Sequence, residues 1–424
     1  VNIRKTYCEM TRTRFGGPGA RCGEPSKARE WIRRGAHLQY FRWKHFPDRK
    51  IPPSLQALNR IFFQYLAEPL RHPEKSAYVN LFAPCEILHA FDLYPMFVES
   101  LATFLNGFSC EDLAIDQAES HGISETLCSF HKTFIGGVEK EALPTPLFAM
   151  ASSVLCDANT KTFMYVAQRR ALPSLVIDVP YTPSSGAVRY VAGQLKESVK
   201  QIEEITGKPF VIDRLREVIA VENETKKWMA AYLEALAVKA FPNHLTLEMA
   251  RLMLTHTGMG RIETLQFFRT LVRDIRKASS RTGKTIFWIQ VIPFFDRTLR
   301  ALFNYKNDYQ ILGMDINLDD LEPLDLKDPL QALAKKMVYQ VFNGPFQRRI
   351  DWILRLMDQL KPDGVIYFCQ WGCKQSSGGA ALMAEALKAK GIPCLVLDGD
   401  AVDRRNMPEG QTKTRVEAFL EMLR

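Results

Sequence analysis

At 424 residues the chain exceeds one ordinary core, and two domains of roughly 150 residues with connecting helices are the expected plan. Hydrophobic residues make up 46% and charged residues 24%, which excludes wholesale disorder, and no apolar run approaches the roughly 18 residues of a spanning helix. The net charge of +9 comes from basic residues interleaved with acidic ones, as in Lys196-Glu197 and Glu224-Thr225-Lys226-Lys227. Such a pattern predicts a solvated surface rather than a nucleic-acid stripe, although a modest positive field also suits a ligand carrying several phosphates.

Residues 1–75 are rich in Arg, Gly and Pro and read as a loose leader followed by a helical cap, with Leu55, Leu58, Ile61, Phe62 and Tyr65 at helical spacing. The N-terminal Val1-Asn2-Ile3-Arg4-Lys5 is followed by no apolar segment, so export is not expected. From residue 76 to 186 short apolar runs alternate with amphipathic stretches, the rhythm of a first α/β domain. Its strands are expected at Tyr78–Phe82, Leu147–Val154 and Leu175–Pro180, with helices over Glu86–Phe91 and after Cys156. Residues 187–262 form a linker whose pattern is continuously helical to about residue 255, and residues 263–424 a second α/β domain. There the strands are Thr285–Val291, Gly364–Phe368 and Cys394–Leu397, and the helices Glu263–Lys277, Asp351–Leu360 and one after Gly378. The expected fold is thus two doubly wound α/β domains around a cleft, with a helical cap and a helical linker.

The nine cysteines are an odd number spread along a long chain, which argues for reduced thiols in a cytoplasmic setting rather than a disulfide framework. Cys128, Cys156 and Cys373 each fall at the start of a predicted helix, where the helix dipole favours the thiolate that binds a soft metal. Cys156 and Cys373 also follow predicted strands of different domains, on loops that in open α/β sheets form the ligand crevice. Three thiolates meeting at a cleft would hold an iron-sulfur cluster and leave one iron open. Taken singly, each also fits a small buried hydrophobe.

Several segments occur in a telling order: Pro84-Cys85-Glu86-Ile87-Leu88-His89-Ala90, Cys128-Ser129-Phe130, Ser153-Val154-Leu155-Cys156-Asp157-Ala158-Asn159 with Asp178-Val179-Pro180-Tyr181, Trp371-Gly372-Cys373-Lys374-Gln375, Gly391-Ile392-Pro393 and Asp398-Gly399-Asp400. Over roughly residues 76 to 424 this set resembles the successive landmarks of the 2-hydroxyacyl-CoA dehydratase and benzoyl-CoA reductase family, of the D-component type. The resemblance implies a 4Fe-4S cluster ligated by Cys128, Cys156 and Cys373 in an oxygen-sensitive enzyme. It further implies a separate ATP-hydrolysing iron-sulfur activator that delivers one electron, an acyl-CoA substrate reduced to a ketyl radical, and loss of hydroxide from carbon 2. The partner would be a homologous subunit in a heterodimer, or a second copy. Glu86 matches the family's Pro-x-Glu-Leu segment and is the candidate acid/base group, with capping of the following helix as its other reading. Ile87 departs from the usual leucine, and no pair of cysteines occurs between Asp308 and Lys336, so a single cluster is expected. The other functions open to such a chain are a benzoyl-CoA reductase-like reductase subunit and a non-catalytic electron-transfer or assembly protein.

Other motifs are set aside. Arg281-Thr282-Gly283-Lys284-Thr285 ends like a phosphate-binding loop but stands between a helix and a strand in the wrong order. The Gly16-Gly17-Pro18-Gly19 cluster lacks a preceding strand. His121 and His131 flank Cys128 and read as surface or core residues, and Asp398, Asp400 and Asp403 as solvated carboxylates of a strand-end loop rather than a hard-metal site.

Overall fold

The computed structural model describes residues 25–48, 51–241, 243–407 and 409–423. Cys8, Cys22, the glycine cluster and most of the predicted leader lie outside the described residues. The described chain opens with two helices, α1 (Pro25–His45) and α2 (Pro53–Arg71), which pack on one another. The second buries Leu55, Leu58, Ile61 and Tyr65, as its spacing predicts, while the first was not foreseen. Then come β1 (Ser76–Val79), α3 (Cys85–Ala90), β2 (Tyr94–Phe97), α4 (Val98–Gly107), α5 (Glu111–Ser120), α6 (Ser129–Glu139), β3 (Phe148–Ser152), α7 (Asp157–Arg170) and β4 (Ser174–Ile177).

The stretch expected to be one continuous helical run is three helices, α8 (Ser185–Thr206), α9 (Ile212–Leu236) and α10 (Leu245–Thr255). Gly207, at φ 66°, closes α8 in the left-handed conformation that glycine adopts without a Cβ penalty, and Pro209 follows. The chain continues through α11 (Ile262–Lys277), β5 (Lys284–Ile289), α12 (Arg297–Phe303), β6 (Tyr309–Met314), α13 (Pro329–Val338), α14 (Gln347–Leu360) and β7 (Gly364–Gln370). It ends with α15 (Lys374–Ser377), α16 (Ala380–Ala389), β8 (Cys394–Gly399) and α17 (Glu409–Met422).

The eight strands form two four-stranded parallel sheets, ordered β2-β1-β3-β4 and β6-β5-β7-β8. The architecture is mixed α/β and mostly helical. Both central strands of each sheet are buried along their length, as parallel strands covered by helices on both faces must be. The two sheets share one topology, and in each the order reverses between the first and third strands, the switch point at which open α/β sheets bind ligands. Among the described residues no helix is long and apolar enough to cross a membrane.

Candidate functional site

Three thiols stand at three helix starts. Cys156 precedes α7 just beyond β3, Cys373 precedes α15 just beyond β7, and Cys128 precedes α6. β3 and β7 occupy the same place in their sheets, so Cys156 and Cys373 are topological equivalents. Each follows a residue in the left-handed region, Leu155 at φ 71° and Gly372 at φ 73°. At Gly372 the requirement is strict: a Cβ there would lie 2.6 Å from the backbone nitrogen of Cys128 and 2.7 Å from the Thr126 carbonyl oxygen. The Cys373 loop therefore lies directly against the Cys128 loop.

A buried polar clamp fixes that contact. Asp400, at the end of β8, is fully buried, and its Oδ1 accepts from Ser129 Oγ at 2.6 Å, Gln370 Nε2 at 3.0 Å, and the backbone N–H groups of Val402 and Asp403 at 2.8 and 2.9 Å. Gln370 Oε1 in turn accepts from the Ala401 N–H at 2.8 Å. Ser129 opens α6 and Gln370 ends β7, so one carboxylate joins the two segments that carry Cys128 and Cys373. This corrects the expectation of solvated carboxylates: Asp400 and Asp403 are buried, Asp403 is paired with Arg405 at 2.8 Å, and only Asp398 is exposed. Sequence spacing carried no sign that Asp400 would meet Ser129, 271 positions away.

The thiols affect one another. Burial, then the neighbouring Cys373, Asp400 and Cys156, raises the Cys128 thiol well above its ordinary range, and burial followed by Cys373 pushes Cys156 up to about 12. Cys128, Cys156 and Cys373 are free thiols. Among the described residues no three His, Cys, Asp or Glu side chains are placed to hold a single metal ion. A multi-iron cluster makes a different demand, since its thiolates sit on different irons and need not crowd one centre. Three soft sulfur donors at adjoining helix starts, with glycine forced at the point of closest approach, suit such a cluster.

His131, one turn into α6, is buried with its Nε2 3.6 Å from the Cys156 sulfur, and burial pushes its pKa down to about 4. It therefore stands beside the thiols, and only its distance from Cys128 along one helix turn could have signalled this. His121 turns away, with Nδ1 2.8 Å from the Gln117 carbonyl oxygen. Cys85 and Cys369 are buried.

Glu86 lies in the first turn of α3, on the loop side of β1, and is 3% exposed. It does not cap its helix: its Oε1 accepts from Lys336 Nζ of α13 at 2.6 Å. Lys336 Nζ also lies 2.8 Å from Glu222 Oε1 of α9 and 3.1 Å from Asp320 Oδ2, and Lys226 Nζ bridges the same two carboxylates at 3.0 and 2.8 Å. Three carboxyl groups thus face two ammonium groups, one negative charge in excess. The excess falls on Glu86, whose pKa burial and the Glu222 charge raise to about 7 although Lys336 opposes them. Against the same burial, Lys336 and Lys226 hold the Glu222 carboxyl well below the usual range.

This cluster borders a pocket lined by the β1–α3 segment, the end of α10, Asp319 and Asp320 beyond β6, and α13. Its polar wall is Glu86, Lys336, Asp319, Asp320, His256 and Gln340, and its apolar wall Leu81, Phe82, Val154, Leu333 and Met337. His256 Nε2 and Gln340 Nε2 lie 3.2 and 2.9 Å from Asp319 Oδ2. Val154 stands two residues before Cys156, so the pocket adjoins the thiol loop. Of this wall the sequence singled out Glu86 alone. The Glu222/Lys226 pair at i,i+4 was a visible signal on α9, but its meeting with Lys336, 114 positions from Glu222, was not.

The family model described as 2-hydroxyglutaryl-CoA dehydratase, D-component, matches residues 80–423. The chain belongs to that family. Within it, the (R)-phenyllactyl-CoA dehydratase alpha subunit of Clostridium sporogenes is 23% identical over 90% of this chain and 97% of its own length. The (R)-2-hydroxyglutaryl-CoA dehydratase subunit alpha of Acidaminococcus fermentans is 27% identical over 66% of this chain and 61% of its own. A benzoyl-CoA reductase subunit of Thauera aromatica is 23% identical over 73% of this chain and 79% of its own.

Proposed function

We propose that this chain is the iron-sulfur subunit of a 2-hydroxyacyl-CoA dehydratase, a hydro-lyase in which Cys128, Cys156 and Cys373 hold a 4Fe-4S cluster and Glu86 handles the proton. The observation that carries the reading is the junction of three free thiols with a pocket bordered by the buried Glu86 carboxyl, which burial and the Glu222 charge hold well above the usual carboxylate range although Lys336 lies 2.6 Å away. Such a cluster supplies one electron at a time and a Lewis-acidic iron at the site. The chain's own residues do the rest. Lys336 donates to Glu86 Oε1 and Glu222 shares a hydrogen bond with the same carboxyl group, and a carboxyl group raised toward pH 7 in this way can give a proton to a departing hydroxyl and take one back. Leu333 and Met337 exclude water from the wall facing it.

In the same reading the sheets are the cores of two domains, residues 76–186 and 263–424, joined through 187–262 and facing across the pocket, with residues 1–75 as leader and cap. The relatives named alpha subunits support a partner subunit. An ATP-hydrolysing activator, as electron source, and a cytoplasmic location complete the proposal. Similarity to the benzoyl-CoA reductase of Thauera aromatica favours a reductase as the second reading, and analysis of the product formed from a 2-hydroxyacyl-CoA separates the two.

The test is iron and sulfide content with electron paramagnetic resonance on anaerobically purified protein, comparing wild type with Cys128→Ala, Cys156→Ala and Cys373→Ala. About four irons per chain, lost in each variant, is the expected result. A folded protein that stays iron-free after anaerobic reconstitution would overturn the reading.

A further inference from the structure

From the charge balance of the pocket wall we infer that the acyl group this chain accepts is neutral and apolar, an aliphatic or aromatic side chain rather than one ending in a second carboxylate. The inference rests on the proposed function and narrows its substrate. Two basic side chains line the pocket, Lys336 and His256. Lys336 already faces three carboxylates, Glu86, Glu222 and Asp320, at 2.6, 2.8 and 3.1 Å. His256 is engaged by Asp319 at 3.2 Å, and its other nitrogen lies 3.1 Å from Thr255 Oγ1 and 3.2 Å from the Leu252 carbonyl oxygen.

No cation of the wall is therefore left for a carboxylate brought in by the substrate, which would instead meet Asp319 and Asp320 at close range. A buried carboxylate without a partner is among the costliest groups to desolvate, and like charges add to that cost. The remaining surface is suited to hydrocarbon: Phe82, Leu333 and Met337 are buried, and the Phe82 ring stands edge-on to His256 at 5.2 Å and 5.7 Å from the Phe342 ring. The same wall favours a flat or branched apolar side chain, which gains from contact with polarisable aromatic and thioether groups.

The measurement is calorimetric binding of two coenzyme A thioesters, (R)-phenyllactyl-CoA and (R)-2-hydroxyglutaryl-CoA, to the full chain purified anaerobically. Both carry the same nucleotide, so its contribution cancels in the ratio. The neutral thioester is expected to bind on the order of 100-fold more tightly. In Met337→Arg, which adds an uncommitted cation to the apolar wall, the ratio is expected to fall to about tenfold or below. Equal or tighter binding of the dicarboxylic thioester by the wild type overturns the inference while leaving the acyl-CoA reading standing. An unchanged ratio in a folded Met337→Arg protein overturns the assignment of selectivity to this wall. Binding of neither thioester rejects the acyl-CoA reading, and the inference with it.

Discussion

Glu86, Glu222, Asp320, Lys226 and Lys336 behave as one unit because each ammonium lies between carboxylates at 2.6 to 3.1 Å. Within the unit Glu222, held low, contributes in the direction of ordinary acid denaturation, while Glu86 makes stability depend on pH in the opposite direction. A carboxyl raised from 4.5 to about 7 holds its proton more tightly in the folded state, so its contribution is full below the unfolded value and is lost as pH rises toward 7. Glu86→Gln, which mimics the protonated form, removes that slope. The stability difference between wild type and Glu86→Gln should therefore shift against the wild type by roughly 2–3 kcal/mol between pH 4.5 and 7.5, measured by urea unfolding at each pH. A difference that does not vary with pH would show that folding does not raise the Glu86 pKa. Lys336→Met leaves three carboxyl groups facing Lys226 alone and should cost on the order of 3–5 kcal/mol, with part of the loss recovered by adding Glu86→Gln.

At the scale of elements, the β3–α7 and β7–α15 loops are built alike: a buried strand, a residue at positive φ, then a cysteine at the helix start. Gly372→Ala tests how much of the site depends on the second loop. The left-handed conformation costs an alanine about 1–2 kcal/mol, and the clash with the Cys128 backbone must be relieved by moving one thiol away from the other. Gly391, at φ 72° with open space around it, is the control. Gly391→Ala should show the conformational cost alone in thermal melts, while Gly372→Ala should melt lower still and retain less iron after reconstitution. These loops were legible in the sequence because long apolar runs, a cysteine and a helical pattern follow one another there. The edge strands β4 and β8 were legible too, but the edge strands β2 and β6 were not. β2 is four residues long and contains Pro95, which an edge position tolerates, and β6 carries Gln310 and Gly313, so neither shows the uninterrupted apolar run of β3 or β7. The charged unit and the Asp400 clamp were invisible for a different reason: their members are far apart in sequence, and no local periodicity reports a contact made by topology.

Across the whole molecule, the tie between the two sheets' loops near the thiols runs through Asp400. Asp400→Ala leaves the Ser129 hydroxyl and two backbone N–H groups without their acceptor, each worth about 1–3 kcal/mol when buried unpaired, and leaves Gln370 Nε2 only its longer contacts with Ser129 Oγ and the Trp371 carbonyl oxygen. The expected outcome is a loss of several kcal/mol in urea unfolding together with reduced iron content. Asp400→Asn keeps an acceptor oxygen in the same place and should lose much less of either. Equal behaviour of the two variants would mean that the clamp does not set the spacing of Cys128 and Cys373.

The shared topology of the two sheets also gives each strand of one half a counterpart in the other. Cys156 is mirrored by Cys373. Cys128 begins the helix that runs into β3, and the matching place, the start of the helix that runs into β7, is taken by Phe346, whose ring packs on Gly379. A scaffold in duplicate would provide sulfur in pairs, and here one member of the second pair is hydrocarbon. Around a cluster held as proposed, the broken symmetry would give the centre a front and a back: three sides would belong to the protein, and the odd one would be free for a guest.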